Sequence, residues 1–217
     1  MIEGINALVN PSASFAKDDG STIYDSPTKL VADLLTKAGP EIIKGLGYIT
    51  ITEKEYQEIK EFTDQLVKEV KKPFDIYSTI FKWVTTNVEY TNGVNNDPYP
   101  VFKNLQGVCQ GYANLLSVML HSQKIYAFIA NGILNPVGGH AWNYVYIGGN
   151  WYAIDTTWDD PVINTSNNIQ IIPNSVKYKY FLKGSGRMQK THIPTGEVIE
   201  GGKVFEYPEL NEKDFEI

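Results

Sequence analysis

The chain has 217 residues and a formal net charge of −6, with no basic run longer than Lys71-Lys72, so it lacks the electrostatic footprint of a nucleic-acid binder. No apolar stretch approaches the roughly 20 residues that span a bilayer, and Met1 to Gly20 lacks the charged-then-apolar layout of a signal peptide. One cysteine excludes an internal disulfide framework and fits a reducing compartment and a secreted protein alike, while the length suits a domain with a sizeable core.

Residues 1 to 25, rich in Asn, Pro, Ser, Asp and Gly, read as an irregular arm. Ser26 then caps a short helix with Pro27 at its first position and Leu30, Val31, Leu34 and Leu35 on one face, and Gly39-Pro40 stops it. Residues 1–50 therefore form an N-terminal arm with a short helix, and residues 51–217 the main domain. Thr52 and Glu55 make a capping-box pattern ahead of Tyr56, Ile59, Phe62, Leu66 and Val70 at helical spacing. Pro73 opens a third helix carrying Ile76, Tyr77, Ile80, Phe81, Trp83 and Val84. Thr91 to Asn104 reads as a loop. From Tyr112 to Leu120 nearly every residue is apolar or small, as in a helix enclosed on most sides. Ile125 to Ala130 reads as a strand, His140 to Ile147 alternates, and Gly148-Gly149-Asn150 marks a hairpin into a strand from Trp151 to Thr157. Tyr178 to Leu182 is a further expected strand.

Cys109, in Gly107-Val108-Cys109-Gln110-Gly111-Tyr112-Ala113, stands at the entry of the enclosed helix. A thiol attacks as thiolate, and unpaired N–H groups at a helix start favour that anion. Gly107 and Gly111 leave room for a tight turn and an approaching substrate, and the backbone N–H of Cys109 could serve an oxyanion. His140, in Gly139-His140-Ala141-Trp142-Asn143, and Asp155, in the run from Trp151 to Asp160, supply a base and an orienting acid in Cys, His, Asp order. The hairpin makes this testable. If Gly148-Gly149 is a two-residue turn, Asp155 lies opposite Trp142, diagonal to His140 on the same face at about 7–8 Å. A Gly149-Asn150 turn instead puts Asp155 opposite Tyr144, roughly 13 Å along the strand from His140.

Plainer roles compete. A buried cysteine is often a small hydrophobe, and a histidine or a strand-end aspartate often only satisfies the core. Trp142, Tyr144, Trp151, Trp158 and Tyr112 read as core packing before cleft lining, and Tyr90 as packed before an oxyanion donor. His121, His140 and His192 have no metal-ligand spacing, and Asp159-Asp160 reads as a solvated turn or a loop anchor. No metal or cofactor is expected.

The segments around Cys109, His140-Ala141-Trp142-Asn143 and Trp151 to Asp160 resemble the transglutaminase-like superfamily, within the papain-like cysteine protease fold. The resemblance runs from about Ile76 to Pro161, and Tyr180-Phe181-Leu182 with Thr191-His192 is similar to the tail of bacterial members. It implies an α+β fold, with a central cysteine-bearing helix packed on an antiparallel β-sheet and additional N-terminal helices. It implies Cys109 as nucleophile, His140 as base and Asp155 as orienting acid, acting on a protein or peptide substrate. Such families include cross-linking enzymes, peptidases, amidases and members that have lost catalysis, and the presence of all three residues argues against the last class. The calcium sites of the much longer animal cross-linking enzymes have no match here. The alternative reading is a non-catalytic protein-binding module that retains the fold.

Overall fold

The computed structural model describes residues 50–125, 127–160, 178–195 and 207–216, together with the backbone of short segments that pair locally: Phe15–Ala16 with Thr22–Ile23, Val162–Thr165 with Asn168–Ile171, and Val198–Glu200 with Lys203–Phe205. The ladder at Phe15–Ala16 falls inside the arm read as irregular, and the helix expected from Ser26 to Gly39-Pro40 lies outside the described residues.

Helix α1, Glu53–Leu66, starts at the expected capping box: the Glu55 N–H donates to Thr52 Oγ1 at 3.4 Å, and the Thr52 N–H donates to Glu55 Oε2 at 2.7 Å. Each bond closes an N–H that the first turn leaves open. The helical spacing reaches Val70, but the helix stops at Leu66, and Val70 closes a turn onto the Val67 carbonyl at 2.9 Å. Helix α2, Pro73–Asn87, begins at its proline and buries Ile76, Tyr77, Ile80, Phe81 and Val84. Strand β1, Glu89–Tyr90, runs parallel to β2, Gln106–Gly107, and between them Pro98–Asn104 forms helix α3 where a loop was expected. A proline at the first helical position forfeits no hydrogen bond, and the burial of Val101 against the core holds a segment of 7 residues, too short for its periodicity to show.

Helix α4, Cys109–Ser122, is buried at every position from Gly111 to Ser122. It packs on one face of an antiparallel sheet ordered β6-β3-β4-β5, where β3 is Ala127–Leu134, β4 Gly138–Ile147, β5 Asn150–Ile154 and β6 His192–Pro194. Buried Asn143 on β4 ties the layers together, donating through Nδ2 to the Ala113 carbonyl at 3.0 Å and to Ser117 Oγ at 2.9 Å. The opposite face packs Phe128, Trp142, Tyr144 and Trp151 against Tyr180 and Met188. The architecture is α+β, with the cysteine-bearing helix against an antiparallel sheet.

The turn is the one the site requires: Ile147 lies opposite Asn150, and Gly148 and Gly149 take φ of 60° and 85°, the positive values a two-residue hairpin turn needs. Two strand expectations change. β5 ends at Ile154, because Asp155 turns away and donates its N–H to the Tyr180 carbonyl at 3.0 Å. Tyr178 to Leu182 is no strand: Tyr178 and Leu182 hold positive φ, and the N–H groups of Lys179 and Tyr180 are taken by the Asp159 carboxylate at 2.8 and 2.7 Å. The expected strand at Ile125 to Ala130 is found as Ala127–Leu134.

Candidate active site

Half-buried Cys109 is the first residue of α4. The turn before it is fixed by Asn96, whose Oδ1 accepts the Val108 N–H at 3.0 Å and whose carbonyl accepts from Asn114 Nδ2 at 2.8 Å. A Cβ on Gly111 would lie 2.8 Å from Asn96 Oδ1 and 3.0 Å from Val101 Cγ2. The space that Gly111 leaves is thus filled by the chain's own Asn96 and Val101, which corrects its reading as room for a substrate.

The structure brings His140 and Asp155 into contact and leaves Cys109 within reach of the His140 charge. β4 carries His140, the turn after β5 carries Asp155, and His140 Nε2 lies 2.6 Å from Asp155 Oδ2. The backbone N–H groups of Ala141, on β4, and Gln110, at the start of α4, also act on the Cys109 thiol. With Nε2 committed to Asp155, Nδ1 is the ring nitrogen available to Cys109.

The charges follow from these contacts. Burial pushes the Cys109 thiol up, but the hydrogen bond and charge of His140, with the Ala141 and Gln110 N–H groups, bring it below its ordinary value. Burial pushes His140 down, and its bonds to Asp155 and Cys109 outweigh this, raising it to about 9. Burial pushes fully enclosed Asp155 up, and the His140 and His192 donors bring it down to about 2. The arrangement favours thiolate, imidazolium and carboxylate in a row.

A fourth residue joins them. His192 Nε2 lies 2.9 Å from Asp155 Oδ2, the oxygen that His140 also uses, while Oδ1 accepts the Trp158 N–H at 3.1 Å. Sequence spacing held no signal for this contact, since His192 comes 37 residues after Asp155 on an edge strand. The ligand atoms of His140, Asp155 and His192 lie within 4.8 Å of one another, a set that could face a metal ion. Their nitrogen-to-oxygen separations of 2.6 and 2.9 Å are hydrogen bonds. They are shorter than the roughly 3.3 Å between donors at tetrahedral zinc bonds of about 2.0–2.1 Å, so an ion there would have to push the three apart.

The surrounding residues settle mostly as packing. Trp142, Tyr144, Trp151 and Tyr112 are buried in the core, and the Trp142 ring stacks on His140 at 6.0 Å between centroids. Trp158 is partly buried against the same cluster. Tyr90 is half-buried opposite Gly107, 6.4 Å from the Tyr112 ring; burial, then the charge of Cys109, raises its phenol. His121 is bonded to the Ala127 carbonyl at 2.5 Å. Asp159 and Asp160 are buried loop anchors, Asp159 on the Lys179 and Tyr180 N–H groups and Asp160 on the Tyr112 hydroxyl at 2.5 Å, so the solvated-turn reading falls.

Residues 60–156 match the family model described as the transglutaminase-like superfamily. Kyphoscoliosis peptidase from Homo sapiens is 22% identical over 155 residues, which are 63% of this chain and 23% of that protein, and its Mus musculus counterpart aligns equally. The chain thus spans about a quarter of the length of these relatives. Among solved structures, a candidate cysteine protease from Cytophaga hutchinsonii is 25% identical over 58% of this chain and 45% of that one, with a TM-score of 0.47. The periplasmic domain of TgpA from Pseudomonas aeruginosa is 18% identical over 57% and 49%, with a TM-score of 0.40.

Proposed function

We propose that the chain belongs to the transglutaminase-like superfamily, whose model residues 60–156 match, and that it is a thiol-dependent enzyme acting on an amide or peptide carbonyl of a protein or peptide substrate. The observation that carries this reading is His140 Nε2 at 2.6 Å from Asp155 Oδ2, with His140 close enough to Cys109 to lower its thiol. A half-buried thiol held below its ordinary value against the pull of burial suits a nucleophile better than a packing residue.

In this mechanism the Cys109 thiolate attacks the carbonyl carbon, and the oxyanion is met by the backbone N–H of Cys109 at the first turn of α4. Imidazolium His140 gives its Nδ1 proton to the departing amine, and an acyl-enzyme thioester remains. Water or a primary amine then attacks the thioester while His140 takes its proton, and Cys109 is released. Asp155 fixes the imidazole and balances its charge throughout. Water gives hydrolysis and an amine gives transamidation; the peptidase name of the curated relative supports the first.

Mass spectrometry of a peptide library incubated with the protein and a primary amine tests this. Backbone cleavage establishes a peptidase, and loss of ammonia with gain of the amine establishes transfer. No change in either, with a thiol that titrates as an ordinary cysteine against iodoacetamide, would leave the chain a binding module that keeps the fold.

A further inference from the structure

We infer that His192 is a positioning residue for Asp155, holding the carboxylate that in turn holds His140, an inference that rests on the thiol-enzyme reading above. The proton arrangement follows from the acceptor. An ionised carboxylate only accepts, so the Nε2 atoms of both His140 and His192, at 2.6 and 2.9 Å from Asp155 Oδ2, carry hydrogens. His192 Nδ1 lies 2.8 Å from Thr191 Oγ1. With Nε2 protonated, Nδ1 of a neutral ring is an acceptor, and the Thr191 hydroxyl donates to it. In that tautomer Thr191 holds the ring that presents Nε2–H to Asp155, and both ring nitrogens have a partner.

The setting gives the contact weight. His192 is 2% exposed and Asp155 is fully enclosed, with the rings of Tyr180, Trp142 and Trp158 at 5.0, 5.1 and 6.2 Å from the His192 ring. Asp155 is fully enclosed, so each donor it has among the described residues, His140, His192 and the Trp158 N–H, counts in keeping it ionised and in place. Among the described residues, the titratable groups around this cluster are Asp155, His140, Asp159 and Tyr180, with Cys109 beyond His140 and Lys183 acting on Asp159. Only His192 adds a donor to Asp155 from the edge strand. Removing that donor should free the carboxylate to rotate away from His140, so the imidazolium, and with it the Cys109 thiolate, loses the fixed acceptor that supports it.

The test is the pH dependence of iodoacetamide alkylation of Cys109 in the full chain, which needs no substrate. The wild type should show a midpoint below that of a free cysteine. His192→Leu, which keeps apolar bulk and removes the donor, should move the midpoint up by roughly one pH unit, about a tenfold slower reaction below it. His192→Gln, whose amide N–H can reach the same oxygen, should stay near the wild type. Thr191→Val, at a partly exposed position, should give a smaller upward shift and keeps the inference testable if His192→Leu fails to fold. An unmoved or lowered midpoint in folded His192→Leu, an unmoved one in Thr191→Val, or equal shifts in the Leu and Gln variants would each overturn it. An ordinary midpoint in the wild type would instead sink the enzyme reading, so the two failures are distinguishable.

Discussion

His140 and Asp155 are 15 residues apart in sequence and 2.6 Å apart at Nε2 and Oδ2 because a two-residue turn sets the register of β4 on β5. Side chains alternate between faces, so a slip of one residue at this turn would send Asp155 to the other side of the sheet. Gly148 at φ 60° is where that register is defended, and its Cβ would meet only Phe215 Cε2 at 3.7 Å, an ordinary contact. Gly148→Val should therefore lose about 1–2 kcal/mol from backbone strain alone. Gly148→Asn, whose side chain tolerates this region, should lose under about 1 kcal/mol. Urea unfolding of the two variants measures the difference, and equal losses would mean that the turn is not strained by side chains.

The state of Cys109 depends on its imidazole, because burial by itself pushes the thiol up and His140 is the largest opposing influence. His140→Ala should thus carry the alkylation midpoint to or above that of an ordinary cysteine and slow the reaction at pH 7 roughly tenfold or more. Folding should stay largely intact. A thermal melt of His140→Ala near the wild type with an unchanged alkylation profile would show that the thiol owes nothing to His140.

The parts of the site that could be read in the sequence are those fixed by local geometry. Cys109 stands out by its glycines and the enclosed helix behind it, and the parity of the hairpin alone joins His140 to Asp155. What stayed hidden depends on contacts between distant segments. Helix α3 was masked by Asn, Asp and Pro, and only the burial of Val101 reveals why it forms. Tyr178 to Leu182 has strand-like composition, yet the Asp159 carboxylate takes the N–H groups that a ladder would use. His192 reaches Asp155 by edge pairing of His192 with Leu134, a relation that no spacing rule encodes. Gly111 was visible as a glycine, but its occupant, Asn96, was not.

Stability should carry the signature of the buried charges at both ends of the pH scale. Asp155 is held at about 2, below its ordinary 3.8, so its contribution is fully present above about pH 4 and is lost as pH falls through about 2. That difference is worth on the order of 2 kcal/mol at neutral pH. His140 is raised to about 9 from 6.5, so its contribution is present below about pH 6.5 and is lost as pH rises through about 9. In Asp155→Asn the acid loss between pH 4 and 2 should flatten and the alkaline loss between 6.5 and 9 should shrink, since an amide cannot balance an imidazolium. Urea midpoints measured across this range would contradict the charge assignment if the variant kept both limbs of the wild-type curve.

The turn before Cys109 should be sensitive to substitution, although Asn96 and Gly111 take no part in the proposed chemistry. Asn96 Oδ1 both accepts the Val108 N–H and occupies the place where a Gly111 side chain would begin. Gly111→Ala must push Asn96 aside or move Val101, whose Cγ2 would lie 3.0 Å from the new methyl. Overpacking of this kind costs about 1–3 kcal/mol. Asn96→Ala instead leaves the Val108 N–H without its acceptor, a loss of about 1–3 kcal/mol if water does not replace it. Because both substitutions act through the same contact, the double variant should lose clearly less than the two single losses combined. Additive losses in a thermodynamic cycle would show that Gly111 and Asn96 act independently and that the turn before Cys109 is held by other contacts.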